Sequence, residues 1–341
     1  MLSATLLVLV ACTSSSPLAP SRTTPSGPPT ETTPAVPPTP GTELSFREFT
    51  VPVGAHPHDV APAPDGRVWY TAQRSSELGV LDSATGRTRH VPLGPGSAPH
   101  GVIVGPDGAA WVTDGGLNAI VRVDPSSFKV SRFPLPRSDQ ANLNTAAFDG
   151  NGVLWFTGQS GVYGRVNPQA GRVEVFDAPR GAGPYGIAAT PDGTVWLASL
   201  AGSYIARIDS SSGRLTVVDV PTAGGGARRI WSDSGGRLWV TEWFAGKLAR
   251  YDPAARSWRE WRLPGNGPQP YAVYVDEDDV VWVTDFGANA LVRFDPREEQ
   301  FRSFRFPTPG SEVRQLLGLP GHVWGAESGT DKLVVLSAGD S

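Results

Sequence analysis

Cysteine is almost absent from the chain, since Cys12 is the only one among 341 residues. A monomer can therefore form neither an internal disulfide nor a zinc site built from several thiolates. Long apolar runs are missing too, because residues 6–10 form a stretch far shorter than the roughly 20 residues of a membrane span. The net charge is only −4, from 29 basic and 33 acidic residues, and it provides no broad attraction to nucleic acid.

Long helices are disfavoured as well, since 40 glycines and 33 prolines interrupt the chain at short intervals. This composition predicts short strands joined by tight turns, and hence an all-β protein. The motifs of a P-loop, a G-x-S-x-G nucleophile elbow and an H-E-x-x-H zinc helix do not occur. The classes of enzyme that depend on those motifs are excluded.

The first 42 residues differ in composition from the rest. The letters LVAC at residues 9–12 resemble the lipobox of bacterial lipoproteins, in which a signal is cut before a cysteine that is then lipidated. Of the 30 residues from 13 to 42, 22 are Pro, Ser or Thr, which bury too little apolar surface to fold. The sequence thus predicts a signal segment over 1–12, a disordered tether over 13–42 and a folded domain over 43–338. We expect an extracytoplasmic protein that is held to a membrane only through a lipidated Cys12.

A tryptophan returns through the folded region with a nearly constant period. Its spacings are 42, 44, 41, 43, 43 and 42 residues, and the positions are Trp69, Trp111, Trp155, Trp196, Trp239, Trp282 and Trp324. Most copies carry four short apolar strands separated by turns such as PDG or DSGG. Four strands in 41 to 44 residues are typical of a propeller blade. The sequence therefore predicts a seven-bladed β-propeller with four-stranded antiparallel blades, whose repeated tryptophans pack between neighbouring blades.

The last repeat ends after its third strand, KLVVLS, and lacks a fourth. Residues 44–53, LSFREFTVPV, precede the first repeat and match outer strands such as RSWREWRLP at 256–264. We therefore expect the N-terminal strand to complete the last blade and to close the ring without a covalent link.

Functional residues are expected where the repeats differ in chemistry but share one location. Two positions qualify, one eleven residues before the tryptophan and one three residues after it, because both fall at the same end of the inner hairpin. The first position is polar in every repeat: His58, His100, Asn144, Tyr185, Arg228, Tyr271 and, one residue closer, Arg314. The second holds four carboxylates: Asp114, Glu242, Asp285 and Glu327. Both sets are predicted to line one mouth of the central channel.

Two interpretations of this mouth stay open. In one, the arginines pair with the carboxylates and the charges only line a solvated funnel. In the other, Arg228 or Arg314 binds an acidic or carbonyl-bearing small molecule or peptide-like ligand. Apolar faces for that ligand would come from Tyr185, Tyr271 and Trp243.

The repeats LWVTEWFAGKLARYD at 238–252, VWVTDFGANALVRFD at 281–295 and APHGVIVGPDGAAWVTDG at 98–115 resemble those of the streptogramin B lyases, also called virginiamycin B lyases. The resemblance covers about residues 44–336 and implies a seven-bladed propeller that linearises a cyclic depsipeptide by elimination at its ester bond. It also implies Mg²⁺, histidines at the channel mouth and a metal-binding glutamate. In this chain we expect Glu242, Asp285 and Glu327 to hold the metal.

The family's catalytic histidines match other residue types in this chain. The first falls at Arg228 and the second at Tyr271, with Gln269 in place of a glutamate, and the metal-binding glutamate falls near Asp285 or Phe286. An arginine cannot act as a base at neutral pH, and a tyrosine is a poor one. The family's mechanism therefore does not transfer unchanged.

A site rotated to other blades is the alternative. His58 and His100 occupy the first position of adjacent repeats, and with Asp114 they are the candidate catalytic residues. His56 and His58 are also half of a metal site, with no third ligand assured. Three functions stay open: an elimination lyase, a lactonase-type hydrolase, or a monomeric non-catalytic protein that binds a peptide, glycan or partner loop at the same mouth.

Overall fold

The computed structural model describes residues 43–137 and 139–338, where the regular elements are all β-strands. The predicted signal segment and tether lie outside this part of the chain. Its 28 strands form seven four-stranded antiparallel sheets, which confirms the predicted all-β, seven-bladed propeller. The described part contains no helical segment with the length and hydropathy of a membrane span.

Each of the first six blades runs in chain order from an inner to an outer strand. Blade 1 comprises β2 (Pro57–Pro62), β3 (Arg67–Ala72), β4 (Glu77–Asp82) and β5 (Thr88–Pro92). Blade 2 comprises β6 (Pro99–Val104), β7 (Ala110–Asp114), β8 (Ala119–Val123) and β9 (Val130–Pro134). Blade 3 comprises β10 (Leu143–Phe148), β11 (Leu154–Gly158), β12 (Val162–Asn167) and β13 (Arg172–Asp177).

Blade 4 comprises β14 (Pro184–Ala189), β15 (Val195–Ser199), β16 (Tyr204–Ile208) and β17 (Leu215–Asp219). Blade 5 comprises β18 (Ala227–Ser232), β19 (Leu238–Glu242), β20 (Lys247–Asp252) and β21 (Ser257–Arg262). Blade 6 comprises β22 (Pro270–Val275), β23 (Val281–Asp285), β24 (Ala290–Asp295) and β25 (Gln300–Arg305). Blade 7 comprises β26 (Val313–Leu319), β27 (His322–Glu327), β28 (Lys332–Ala338) and β1 (Leu44–Thr50).

The ring is closed by β1, as the sequence predicts. This strand pairs with β28 along its whole length, from Leu44 opposite Ala338 to Thr50 opposite Lys332. The Asp331 carboxylate then accepts hydrogen bonds from the backbone N–H groups of Gly54 and His56, each at 2.7 Å. The first and last parts of the propeller are therefore joined both by a ladder and by a capped turn.

The repeated tryptophans pack in the interfaces between blades. Trp111 of blade 2, for example, lies in one apolar cluster with Leu154 and Phe156 of blade 3. Its indole Nε1–H donates to the Asp107 carboxylate in the turn before its strand, at 3.1 Å. The same tryptophan-to-turn hydrogen bond recurs in blades 3, 5 and 6. The tryptophan thus fills the interface and ties down its own turn.

Every inner strand contains a β-bulge near the channel mouth, where the ladder with the second strand loses its register. In blade 5, Ala227 is opposite Glu242 and Ile230 is opposite Val240, so Arg228 and Arg229 share one partner, Thr241. A bulge interrupts the alternation of side chains. Two consecutive residues per blade are therefore free to turn toward the channel.

The threonine opposite the bulge holds it in place and links it to the next blade. The Thr241 hydroxyl accepts from the backbone N–H of Arg229 (3.1 Å) and donates to the carbonyl of Tyr271 in blade 6 (2.8 Å). Thr71 forms the same bridge between the N–H of Asp59 (3.0 Å) and the carbonyl of His100 (2.8 Å). Blades 2 and 3 repeat the bridge. We call it the threonine bridge.

Blade 5 also contains a group of residues around a buried acid, at the end of the blade that has the bulge. We call Glu242, Lys247, Thr222 and Glu260 a buried acid network. Glu242 is fully buried, and neither of its carboxylate oxygens has a hydrogen-bond partner in the described part. Beside it, Lys247 Nζ donates to Thr222 Oγ1 (2.7 Å) and to Glu260 Oε2 (2.9 Å). Burial, together with the negative charge of Glu260, raises the pKa of Glu242 to about 8. Glu242 is therefore protonated at neutral pH.

Blade 7 repeats this network. Lys332 Nζ donates to Thr308 Oγ1 and to Glu48 Oε2, each at 2.6 Å. Glu327 is fully buried beside them and accepts from Thr330 Oγ1 at 2.6 Å. Burial raises the pKa of Glu327 to about 7. Both glutamates thus belong to the interior of a blade.

We expect Thr241→Val to destabilise the propeller by about 1–3 kcal/mol, because the substitution leaves the buried N–H of Arg229 and the carbonyl of Tyr271 without their partner. Thr241→Ser is the matched control, since it keeps the hydroxyl, and it should cost less. Denaturant unfolding followed by tryptophan fluorescence measures both. Equal stability of the two variants would show that the bridge is not an energetic link.

The pKa of Glu242 predicts a loss of stability as the pH rises. The folded protein keeps this proton between the ordinary pKa of 4.5 and about 8, whereas the unfolded chain has lost it, so the free energy of unfolding decreases across that window. Glu242→Gln should reduce that decrease by up to about 5 kcal/mol, since one pKa unit corresponds to about 1.4 kcal/mol and the window spans about 3.5 units. Unfolding curves at several pH values, with the exposed Glu298→Gln as control, test this. An unchanged pH profile in Glu242→Gln contradicts it.

Candidate functional site

The bulges direct the seven first-position residues toward one mouth of the channel, where residues from different blades touch. The rings of His58 and His100, from blades 1 and 2, lie 3.9 Å apart between centroids. The hydroxyl oxygens of Tyr185 and Tyr271, from blades 4 and 6, lie 2.5 Å apart. The mouth is therefore a convergent ring with a histidine side and an arginine–tyrosine side.

The arginine–tyrosine side is built around Arg228. Its guanidinium carbon lies 3.5 Å from the centroid of the Tyr271 ring and 4.4 Å from that of Trp243, and NH2 donates to the Tyr185 hydroxyl at 2.9 Å. The ring of Phe286 stacks on the ring of Tyr271, with 4.7 Å between the centroids. We call these five residues the arginine–tyrosine wall. It combines a half-buried cation with aromatic faces.

Positive charge exceeds negative charge at this wall. Among the described residues Arg228 forms no ion pair, and Arg314 pairs with the exposed Glu312. Burial acts to raise the pKa of Tyr271, but the charges of Arg228 and Arg229 and the hydrogen bonds from Tyr185 and Arg228 together lower it, while burial and Tyr271 raise the pKa of its partner Tyr185 to about 12. The guanidinium groups thus stabilise negative charge at this place.

The histidine side is held by hydrogen bonds at defined ring nitrogens. His58 Nδ1 lies 2.7 Å from Asp59 Oδ1, and His100 Nδ1 lies 3.1 Å from the carbonyl oxygen of Asn144. Burial, followed by the charge of Arg229, puts the pKa of His58 well below its usual range. Burial, followed by the proximity of His58, does the same for His100. Both imidazoles are therefore neutral at pH 7.

An ion pair spans the channel directly beneath the ring. Arg229 NH2 of blade 5 lies 3.3 Å from Asp59 Oδ1 of blade 1, and Arg229 NH1 lies 3.3 Å from Thr145 Oγ1 of blade 3. Asp59 is 1% exposed and Arg229 is 5% exposed, so the pair is buried. Asp59 Oδ2 and Arg229 Nε have no hydrogen-bond partner in the described part of the chain. We call this pair the channel bridge.

Asp59 and Arg229 lie outside the two repeat positions that predict the mouth. Each directly follows a first-position residue, and strict alternation along a strand assigns it to the blade interior. The bulge removes that alternation. Their charge is the sequence feature that marks them, because HDVAP and ARRIW each place a charged residue inside a short apolar strand.

Asp114 does not join the two histidines, in contrast to the rotated site that the sequence predicts. Its Oδ2 accepts from Ser97 Oγ (2.5 Å), and its Oδ1 accepts from the backbone N–H groups of Ala98 and Leu117, each at 2.9 Å. These bonds cap the loops of its own blade. The carboxylate that contacts His58 is Asp59.

The three carboxylates expected to hold a metal likewise lie apart, in three separate blades. Asp285 Oδ1 accepts from the N–H groups of Gln269 (2.8 Å) and Gly287 (2.9 Å), while Glu242 and Glu327 lie in the two buried acid networks. The expected ion pairs of Arg228 or Arg314 with these carboxylates do not form in the described part. Mg²⁺ prefers a near-octahedral set of oxygen ligands, which these separate carboxylates do not provide. The Mg²⁺ site stays a prediction.

One group in the described part brings metal-ligating atoms together. It consists of His58, Asp59 and His100, all buried, with one ligand atom of each lying within 4.8 Å of the others. Two imidazoles and one carboxylate are ligands that zinc and related transition metals accept.

Comparisons with solved structures agree with the propeller architecture. A streptogramin B lyase superposes with a TM-score of 0.80 at 23% identity, covering 87% of this chain and 98% of that one. A catalytically inactive His-to-Ala variant of virginiamycin B lyase from Staphylococcus aureus, solved with quinupristin, gives 0.80 at 21% identity, covering 86% and 99%. YCF48 bound to the D1 peptide gives 0.68 at 16% identity, covering 90% and 98%. At these identities the likeness concerns the fold alone.

The family assignment comes from the sequence. No protein of curated function matches it. The model of the virginiamycin B lyase family matches residues 44–336, from the strand that closes the ring to the last blade. The chain therefore belongs to the virginiamycin B lyase family.

Proposed function

We propose that the channel mouth binds a peptide-like ligand through a carboxylate or carbonyl oxygen, with Arg228 as its anchor. The observation that carries this proposal is the position of Arg228, whose guanidinium lies 3.5 Å above the Tyr271 ring and has no carboxylate partner in the described part. A half-buried guanidinium without a counter-ion is a strong site for an oxygen anion. Trp243 and Phe286 beside it offer half-buried aromatic faces for an apolar group of the same ligand.

Binding without the family's chemistry fits the residues at the matching positions. Arg228 and Tyr271 stand where the resemblance implies histidines, and an arginine stays protonated at neutral pH. The similar virginiamycin B lyase variant solved with quinupristin supports a ligand of that kind for this propeller. We therefore expect a ligand of that class to be held at the mouth and left intact.

Elimination at a cyclic depsipeptide remains the second candidate, and one observation favours it. Asp59 Oδ1 lies 2.7 Å from His58 Nδ1, which orients the imidazole and leaves Nε2 to accept a proton. In such a step His58 removes a carbon-bound proton while the ester C–O bond breaks, producing an alkene and a carboxylate. Arg228 would then bind the carboxylate that is released.

The ligand is tested with a cyclic streptogramin B and with its linearised product, which carries a free carboxylate. We expect both to bind, and the linear form to bind about tenfold more tightly because a charge-assisted hydrogen bond replaces a neutral one. Arg228→Gln should weaken the linear form by about 10- to 100-fold. Arg302→Gln is the matched control, since Arg302 also lies over an aromatic ring, Phe304, but on an outer strand. Calorimetry that finds Arg228→Gln equal to wild type would overturn the proposal.

Mass spectrometry of the same mixtures separates the candidate functions, with Mg²⁺ and with a chelator in parallel. A binder leaves the ring closed, elimination opens it without a change of mass, and hydrolysis adds one water. We expect the closed ring in both conditions. An opened ring that requires His58 would establish the second candidate instead.

We also propose that the protein acts as an extracytoplasmic monomer held to a membrane through Cys12. This proposal rests on the lipobox-like letters LVAC and the Pro-, Ser- and Thr-rich residues that follow. In a bacterial host, wild type should sediment with membranes and Cys12→Ala should appear in the soluble fraction. Wild type found only in the soluble fraction would contradict this.

A further inference from the structure

We propose that His58, Asp59 and His100 form a binding site for a divalent transition-metal ion such as Zn²⁺ or Co²⁺. The site goes beyond the proposed function, because it uses the histidine side of the mouth and not the arginine–tyrosine wall. Its three side chains come from adjacent blades and are all at least nine-tenths buried.

The geometry of the group supports this proposal. One ligand atom from each residue lies within 4.8 Å of the other two, whereas two ligands of a tetrahedral zinc ion are about 3.3 Å apart. Adjustments of about 1 Å per side chain would therefore bring the three atoms to coordination distance. His58 Nδ1 and Asp59 Oδ1 already lie 2.7 Å apart, so a metal ion bound by both would take the place of the proton between them.

A second observation points to a missing partner at the same place. Asp59 Oδ2 is buried and accepts no hydrogen bond in the described part of the chain. A carboxylate oxygen in that state costs free energy unless a donor or a cation reaches it. A metal ion on Asp59 would supply that partner.

The donor set selects the class of metal. Two imidazole nitrogens and one carboxylate suit Zn²⁺, Co²⁺ and Ni²⁺, while Mg²⁺ and Ca²⁺ prefer oxygen ligands. Three protein ligands also leave a coordination position for water or for a ligand group at the mouth.

The positive charge of Arg229 is expected to lower the affinity of this site for a metal ion. Its NH2 lies 3.3 Å from Asp59 Oδ1, so it competes with a cation for the same carboxylate. We therefore expect moderate affinity in the wild type and higher affinity in Arg229→Gln, which removes the charge and keeps hydrogen-bonding groups. A bound metal would also occupy His58, which then could not act as the base of an elimination.

Titration of the chelator-stripped full-length protein with Co²⁺, and competition by Zn²⁺, tests the site. We expect one equivalent to bind with visible d–d bands of a four- or five-coordinate ion, in the micromolar range. His58→Gln and His100→Gln should lose these bands, Arg229→Gln should bind about tenfold more tightly, and the exposed His322→Gln should behave as wild type. Circular dichroism and melting of each metal-free variant show that it is folded. These readouts do not depend on any ligand of the arginine–tyrosine wall.

Two results would overturn the proposal. One is the absence of any spectral change at millimolar Co²⁺ in both the wild type and Arg229→Gln. The other is a spectrum that persists in folded His58→Gln and His100→Gln, because the ion would then lie elsewhere on the surface. If His58→Gln alone fails to fold, His100→Gln and Asp59→Asn decide the question by the same bands.

Discussion

The β-bulge of every inner strand is the constraint on which the functional end of the propeller depends. A strand with regular alternation presents every second side chain to the channel, and each blade would then contribute one residue to the mouth. The bulge turns two consecutive residues toward it, and the threonine hydroxyl satisfies the backbone N–H that the bulge frees. At four of the blade junctions the same hydroxyl also donates to a carbonyl of the next blade, and there it holds neighbouring bulges at a common level.

At the channel mouth, the histidine side and the arginine–tyrosine wall have different chemistry. On one side the neutral imidazole of His58 contacts a buried carboxylate and the His100 ring, and on the other a guanidinium without a carboxylate partner in the described part lies on a tyrosine pair. The channel bridge connects the two sides, since Arg229 contributes positive charge to the wall while its partner Asp59 orients His58. A buried ion pair adds little stability, because desolvation offsets the attraction. Its contribution is to order the mouth, where it fixes Asp59 against His58.

The architecture was accessible from the sequence because a repeat of 41 to 44 residues, with four strands and a tryptophan in each copy, leaves few alternatives. The contact between His58 and His100 followed from the same repeat, since equal positions in adjacent blades are neighbours. The carboxylates could not be placed in this way. Asp114 and Glu242 stand at one repeat position, yet one caps loops through backbone N–H groups and the other is buried beside Glu260. Asp59 and Arg229 were missed because a bulge is a property of two strands together, and no single strand's alternation reveals it.

The closure of the ring by β1 has a consequence for biosynthesis. Of the 28 strands, β1 is synthesised first and its partner β28 last. The edge of β1 is therefore unpaired until nearly the entire domain has been synthesised. The six blades built from contiguous chain can assemble one after another as they emerge, through contacts that are local in sequence. Completion of the seventh blade is then a single late event, and a chain that lacks β28 would retain two uncovered sheet edges that can pair with other chains.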